Sequence, residues 1–478
     1  MTKRRKLKLS RVLGVDSRAL QEKGVFNSLI GEDSELYLDP RLLKTTSVTE
    51  LSQSHEVFRS HFEKIIKLLI HSSEHGDIFF KKAIKGLTFK EPDFLSLGYS
   101  IPGNSGRGIG KKFAQSLART AKEILQHGIT DPEIFEIVGI FEEGIGADRI
   151  SDMTARIILP NLALYSERIA HELGLTAKEI SFSDNSYKLP VNIQNKAPLL
   201  LLPQEILNDL PIANDRGDLD EVFSHNEKLR EDINHIIGEV WKDSSTKYLR
   251  KREIKEALLQ NPEALRELIR IYKERNVNPY NFEKDPRGLI NWLDIAEEYT
   301  AKYPLEIPLD SGLTAENILE VVLVICKRFK ALVEDNGLSE CFWDEKNEKC
   351  KNERFAQRLF FAVADSYCEA NNLDLNRESN AGRGPVDFKL SQGAKAKVNV
   401  EVKYTSNDVK HAYETQLPIY NKAERTEHCI LLIIINTKIT KALEELRIKQ
   451  AKDIQGNKKV PEIFIVDGRI RPSASHAK

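Results

Sequence analysis

Pro385-Val386-Asp387-Phe388-Lys389-Leu390, a Ser391-Gln392-Gly393 step, and then Val398-Asn399-Val400-Glu401-Val402-Lys403-Tyr404 form the stretch that decides the fold of the last part of the chain. Apolar and polar residues alternate through both runs, which is the period of strands, and the step between them reads as a turn. Strand side chains switch faces at each residue, so Val398, Val400 and Val402 share one face while Glu401 and Lys403 share the other. In the first run Asp387 points away from the face of Val386, Phe388 and Leu390. Paired as a hairpin, the two strands set Asp387 nearly opposite Glu401, with Cβ atoms about 4.5–5.5 Å apart. Two carboxylates that close repel each other, and a divalent cation between them removes the repulsion. Mg²⁺ prefers such hard oxygen ligands, completed by waters and substrate phosphates. Lys403, on the face of Glu401, is placed to hold a metal-adjacent water and to stabilise developing negative charge.

Outward from this hairpin the pattern alternates helix and strand. Glu353 to Ala370 has apolar residues at Phe355, Leu359, Phe360, Val363 and Ala364, a helical spacing, and Leu373–Asn376 offers a short strand. A helix over 408–424 follows the hairpin, then the continuous apolar run His428 to Ile435, as expected of a strand buried on both faces, then a helix over 438–452.

The spacing P-x-D, thirteen residues, E-x-K resembles the PD-(D/E)xK, or restriction endonuclease-like, nuclease superfamily, and the helix–strand order over 353–467 is similar to its core. Gln416-Leu417-Pro418-Ile419-Tyr420 resembles the Q-x-x-x-Y motif of its RecB-like members. The resemblance implies that Asp387 and Glu401 bind Mg²⁺, or Mn²⁺ in its place, and that Lys403 assists the attacking water. It implies supporting roles for Gln416 and Tyr420, which share a helix face at i and i+4. Pro418 inside that helix predicts a kink or a late start. Glu353 matches an acidic residue that some members carry on the first helix, but a glutamate favoured by the helix N-terminal dipole is the better reading. Gly382-Arg383-Gly384 gives a basic lead-in in which Arg383 suits a phosphate.

The remaining chain divides by composition into a mostly helical region with a basic arm and a small β insertion over 1–215, a helical region over 216–337, and the nuclease-like domain over 338–478. The arm carries Lys3, Arg4, Arg5, Lys6, Lys8 and Arg11. Helices are expected over 55–70, 113–126 and 149–173, a brief strand at 35–38, and a hairpin or extended insertion over 189–210. Gly103 to Lys112 is glycine-rich but fails the G-x-x-x-x-G-K-[ST] pattern, because Ile109 stands where the lysine is needed. Lys111 and Lys112, opening the next helix, remain candidates for phosphate contact. Gly144-Ile145-Gly146 reads as a glycine-capped turn between helices. Arg250, Lys251 and Arg252 lie in a basic cluster over 247–255, a second candidate contact with a nucleic-acid backbone.

Composition limits the alternatives. With 71 Lys+Arg against 72 Asp+Glu the whole chain lacks a uniformly basic coat, although residues 351–478 carry a mild basic excess. No run approaches the roughly 18 apolar residues of a membrane span. Five cysteines without a C-x-x-C pair point to a reducing cytoplasm rather than a disulfide scaffold. The expected fold class is α+β and multidomain, with mostly helical N-terminal and middle regions and a C-terminal α/β restriction endonuclease-like core. The expected function is a cytoplasmic, Mg²⁺-dependent deoxyribonuclease of prokaryotic defence or restriction. Its partners would be DNA and either a second copy or another defence protein, with no membrane. The alternatives are an RNase on the same fold, or an inactive nucleic-acid-binding or assembly protein.

Overall fold

The computed structural model describes residues 7–30, 36–89, 110–138, 147–182, 185–209, 251–274, 276–285, 288–306, 315–344, 350–370, 374–380, 385–392, 396–424, 426, 428–437 and 441–470. Its contacts group the chain into two compact units, Met1–Phe282 and Glu283–Lys478.

In the first unit, helix Ser54–His71 buries Phe58, Phe62, Ile65, Ile66 and Leu69, one stripe at helical spacing. Helices Ile78–Gly86 and Lys111–Gln126 pack into the same core through Phe80, Ala83, Leu117 and Ala121. The rings of Phe62 and Phe135 stack with centroids 4.5 Å apart. Leu258, Leu265, Leu268 and Ile269, from helices Lys251–Gln260 and Pro262–Glu274, complete this core. The region read as separate over 216–337 is therefore divided, its first two described helices belonging here and the next two to the second unit.

Several expectations are refined. The chain is already folded at the end of the basic arm: Leu7–Lys8 is a strand, and Leu9, Val12 and Leu13 are buried in a second core with Tyr165, Ile169 and Leu201. Lys3 to Lys6 lie outside the described residues. The stretch 149–173 is two helices, Ala147–Ile157 and Leu159–Glu172, with Pro160 in the first turn of the second. Proline fits there because its missing N–H would have no partner in that turn. The hairpin falls earlier than expected, at Ala177–Phe182 and Asn185–Pro190. Over 191–198 the chain makes a turn closed by a Val191–Pro198 bridge. Leu36–Leu38 is a strand as expected, and pairs with Leu207–Asp209.

The second unit is built on a five-stranded sheet. In space its strands run Glu462–Asp467, His428–Ile435, Ala396–Tyr404, Pro385–Gln392, Asp374–Asn380. The last three pair antiparallel, and the first three parallel. Every residue of His428–Ile435 after the first is buried, as a central parallel strand requires. Ala396–Tyr404 departs from the two-faced reading, because Asn399, Glu401 and Lys403 are buried along with the valines. The parallel register sets them beside Cys429, Leu431 and Ile433, on the face that Val409, Tyr413, Leu417, Leu443 and Leu446 cover.

Helix Glu353–Ala370 is buried around most of its circumference, by Phe355, Leu359, Phe360 and Val363 among others, and packs closely on helix Trp292–Lys302. Phe355 presses so closely on Gly288, whose φ is +63°, that a Cβ there would lie 2.1 Å from the ring. The helix expected over 408–424 is a short turn Val409–His411, a π-helical turn Ala412–Gln416 and an α-helix Leu417–Glu424. Pro418 sits in the first turn of that last helix. Its ring and missing N–H account for the break, which the wide π turn absorbs.

Candidate active site

The strand Ala396–Tyr404 delivers Glu401 and Lys403 to one face, and their exposures of 2% and 7% make them the notable charges of the sheet. Lys403 Nζ lies 3.4 Å from Glu401 Oε1 and 3.0 Å from Glu353 Oε1. The other carboxylate oxygen of Glu353 accepts from the Tyr404 backbone N–H at 2.8 Å and from Asn407 Nδ2 at 2.6 Å. Glu353 thus ties the first turn of its helix to the end of the strand and to the turn beyond it. Asn352 accepts the Phe355 N–H at 3.0 Å and caps the helix, so the Glu353 carboxylate serves the strand instead of its own helix end.

Asp387 belongs to strand Pro385–Gln392, whose antiparallel register pairs Phe388 with Val400 and Lys389 with Asn399. Continuing that antiparallel register by one residue sets Asp387 opposite Glu401. Its side chain lies outside the described residues, as do Arg383 altogether and the Tyr420 side chain. Gln416 ends the π turn, and its buried Oε1 has no hydrogen-bond partner among the described residues. Farther down the same strand face, Asn399 donates to Asn421 Oδ1 at 2.8 Å, and Asn421 donates to Cys429 Sγ at 2.9 Å. This amide chain fastens helix Leu417–Glu424 over the strand. Burial pushes the Cys429 thiol up to about 11.

Glu353, weighed in the sequence against a helix-end role, and Asn407, which no pattern singles out, both belong to the cluster; the fifty-residue separation of Glu353 from Lys403 carries no local signal. Asn407 follows the strand in a Thr405-Ser406-Asn407-Asp408 run that reads as a turn, which it is; Asp408 accepts the His411 N–H at 2.9 Å.

The oxygen donors beside Lys403 among the described residues include the carboxylates of Glu353 and Glu401, the hard ligand type that a divalent cation such as Mg²⁺ prefers. Among the described residues no group of three or more His, Cys, Asp or Glu stands close enough to hold a metal ion. A site here would need the Asp387 carboxylate beside Glu401.

Of the candidate phosphate contacts of the first unit, Lys111 and Lys112 lie among the described residues with their side chains. Lys111 and Lys112 are exposed at the start of helix Lys111–Gln126, with Gly110 as its cap. Residues 103–109 and Arg250 lie outside the described residues, and so do the side chains of Lys251 and Arg252. Lys255, from the same cluster, is used internally, donating to Thr120 at 2.6 Å and standing 3.3 Å from Glu123. Among the described residues no helix is long and apolar enough to cross a membrane.

Comparison with known proteins adds two partial matches. Residues 14–214 match a family described as a domain of unknown function, DUF8370, and residues 318–438 match a second, DUF8371. No curated protein and no solved structure matches the chain.

Proposed function

We propose that the unit 283–478 hydrolyses phosphodiester bonds of DNA with a divalent metal, Mg²⁺ or Mn²⁺, held by Asp387 and Glu401. One observation carries this reading. Glu401, Lys403 and Glu353 form a buried chain of ion pairs, and the neighbouring strand's register, carried one residue beyond Phe388–Val400, would set Asp387 opposite Glu401. Burying charges costs several kcal/mol per ion, so folding alone gives no reason to collect them in a sheet otherwise lined with valine and isoleucine. The five-stranded order, with its antiparallel hairpin beside parallel strands, is in keeping with a restriction endonuclease-like core.

A bound metal would supply Lewis-acid charge at the scissile phosphate and a more acidic water. Lys403, fixed between two carboxylates, would hold positive charge where the phosphate accumulates negative charge and stand within reach of an attacking water. Glu353 positions Lys403, and Asn407 positions Glu353. Gln416, on the π turn, supports the same face. By analogy alone, a nuclease joined to a separate helical unit fits restriction or antiviral defence in the cytoplasm, with the other unit selecting the target.

A second reading has its own observation: Lys403 is fully engaged by acidic groups, as an ion-pair lock between helix and strand would be. That reading makes the unit an inactive nucleic-acid-binding or assembly module. Purified full-length protein is incubated with plasmid, linear duplex, single-stranded DNA and RNA, with Mg²⁺, Mn²⁺ or chelator. The nuclease reading expects metal-dependent cleavage of DNA, reduced at least about 100-fold in Asp387→Ala and Lys403→Ala, which corresponds to about 2.7 kcal/mol of transition-state stabilisation. RNA cleavage alone moves the substrate to RNA. Cleavage by Asp387→Ala at the wild-type rate, or none by wild type with any metal, overturns it.

A further inference from the structure

The first unit carries a cleft of about 800 Å³ lined by helices Ser54–His71 and Pro262–Glu274 and by the segment 129–132. Its size is that of a small-molecule site. The floor is aliphatic: Ile66, Ile129 and Ile269 are each 4% exposed, while Ile70 stands at the rim with 55% exposure. The walls are charged and unbalanced. Arg59, Lys67, Arg266, Arg270 and Lys273 line it against Glu63, Asp131 and Glu274.

The cations are paired, but mostly in a way that a ligand can exchange. Arg266 pairs with Glu263, and Arg270 with Glu267 and Glu274, all one turn away on the same exposed helix surface. Such pairs are worth only about 0.3–0.5 kcal/mol each, so an incoming dianion displaces them at little cost. A bidentate phosphate–guanidinium contact is stronger than what it replaces.

A second observation lies behind the rim. Glu133, 2% exposed, stands 3.7 Å from Arg59 and 3.9 Å from Lys273, and its Oε2 accepts no hydrogen bond among the described residues. Burial, then its contact with Asp131, raises its carboxyl above the usual range. Asp131, although burial works against it, is held below its usual value by hydrogen bonds with Glu133 and Lys273. Arg59 also pairs with Glu63 at 3.2 Å and Lys273 with Asp131 at 2.8 Å, so five cations meet three acids along the cleft lining.

We propose that this cleft binds a small phosphate-bearing molecule with a compact apolar or aromatic body, the class of the nucleoside phosphates. The phosphate takes Arg266, Arg270 and Lys273, and the body lies on the isoleucine floor. This site is independent of the nuclease reading.

The test is isothermal titration of the full-length protein with ATP, GTP, inorganic pyrophosphate and a twelve-nucleotide single strand as probes. Saturable binding is expected for at least one nucleoside triphosphate, tighter than pyrophosphate because of the floor. It should weaken at least about tenfold in the exposed Arg266→Ala/Arg270→Ala double variant, a change of about 1.4 kcal/mol. Ile269→Ser should weaken the nucleotide but not pyrophosphate, and if Ile269→Ser does not fold, Ile70→Ser at the exposed rim makes the same comparison. Absence of saturation for both triphosphates up to about 1 mM overturns the proposal. So does binding untouched by the double variant, and so does binding of the oligonucleotide alone.

Discussion

Glu353 accepts from an ammonium, a backbone N–H and a carboxamide while only 7% exposed, so its removal leaves several donors in the interior without an acceptor. Breaking a buried pair from one side costs about 3–5 kcal/mol, because the remaining charge loses its compensation. Glu353→Ala should therefore lower the stability of the second unit by about 3 kcal/mol, and Glu353→Gln by clearly less, since the amide oxygen still accepts the Tyr404 N–H. Urea denaturation followed by tryptophan fluorescence checks this, with buried Trp292 as the reporter in that unit. Equal stability of Glu353→Ala and wild type would show that the carboxylate is not the hub described. The nearby Glu401 and Lys403 were legible in the sequence because two residues on one strand face are set by period alone. Glu353 was not, since a glutamate in a first helical turn already has a sufficient local explanation.

Between residue and unit, elements show where local rules were overridden by packing. Alternation predicted one polar face for Ala396–Tyr404, but helices cover that face too and turn its polar residues into a buried network. Pro418 announced a break correctly, yet no residue pattern specifies that the chain answers with a π turn. In the first unit, helix Pro262–Glu274 is tied to the short helix Ile134–Ile137 by Tyr272, whose hydroxyl donates to Glu136 Oε2 at 2.8 Å. The Arg41 guanidinium lies 4.9 Å over the same ring. Burial raises the Glu136 carboxyl from 4.5 to about 7, and the Tyr272 hydrogen bond offsets only part of this. Between those pH values the folded state keeps a proton that the unfolded chain has lost. Stability therefore falls as pH rises from 4.5 to about 7, and this contribution is level above that. Glu136→Gln keeps an acceptor for Tyr272 and abolishes the titration. It should stabilise the first unit at pH 8 by on the order of 3 kcal/mol, with the gain shrinking to nothing below about pH 4.5. Thermal melts of both proteins across that range check it, and a gain independent of pH would assign the effect elsewhere.

At the scale of the whole chain, composition suggested boundaries near 215 and 338, whereas the contacts divide the chain between Phe282 and Glu283. The reason lies in which helices share a core. The region 216–337 reads from sequence as helical, but helical periodicity does not say what covers an apolar face. In the structure Leu258 and Leu265 join Phe58, Phe62 and Leu117, far earlier in the chain. Likewise Phe329 packs edge to face with Phe360, 5.1 Å between centroids, and ties helix Ala315–Asp335 to the sheet unit. Four truncations separate the alternatives. A fragment covering 283–478 should fold alone with a cooperative thermal transition, whereas one beginning at 338 removes Trp292, Phe329 and Leu332 from its core and should not. A fragment 1–282 should fold, but 1–250 loses the burial supplied by Leu258, Leu265, Leu268 and Ile269. At about 2 kcal/mol for each side chain that loss is on the order of 8 kcal/mol, comparable with the whole stability of a typical domain. Circular dichroism melts of the four fragments decide the matter. A cooperative transition in 1–250 would mean that the two helices only decorate the first unit, and the cleft that Pro262–Glu274 walls would then have no fixed geometry.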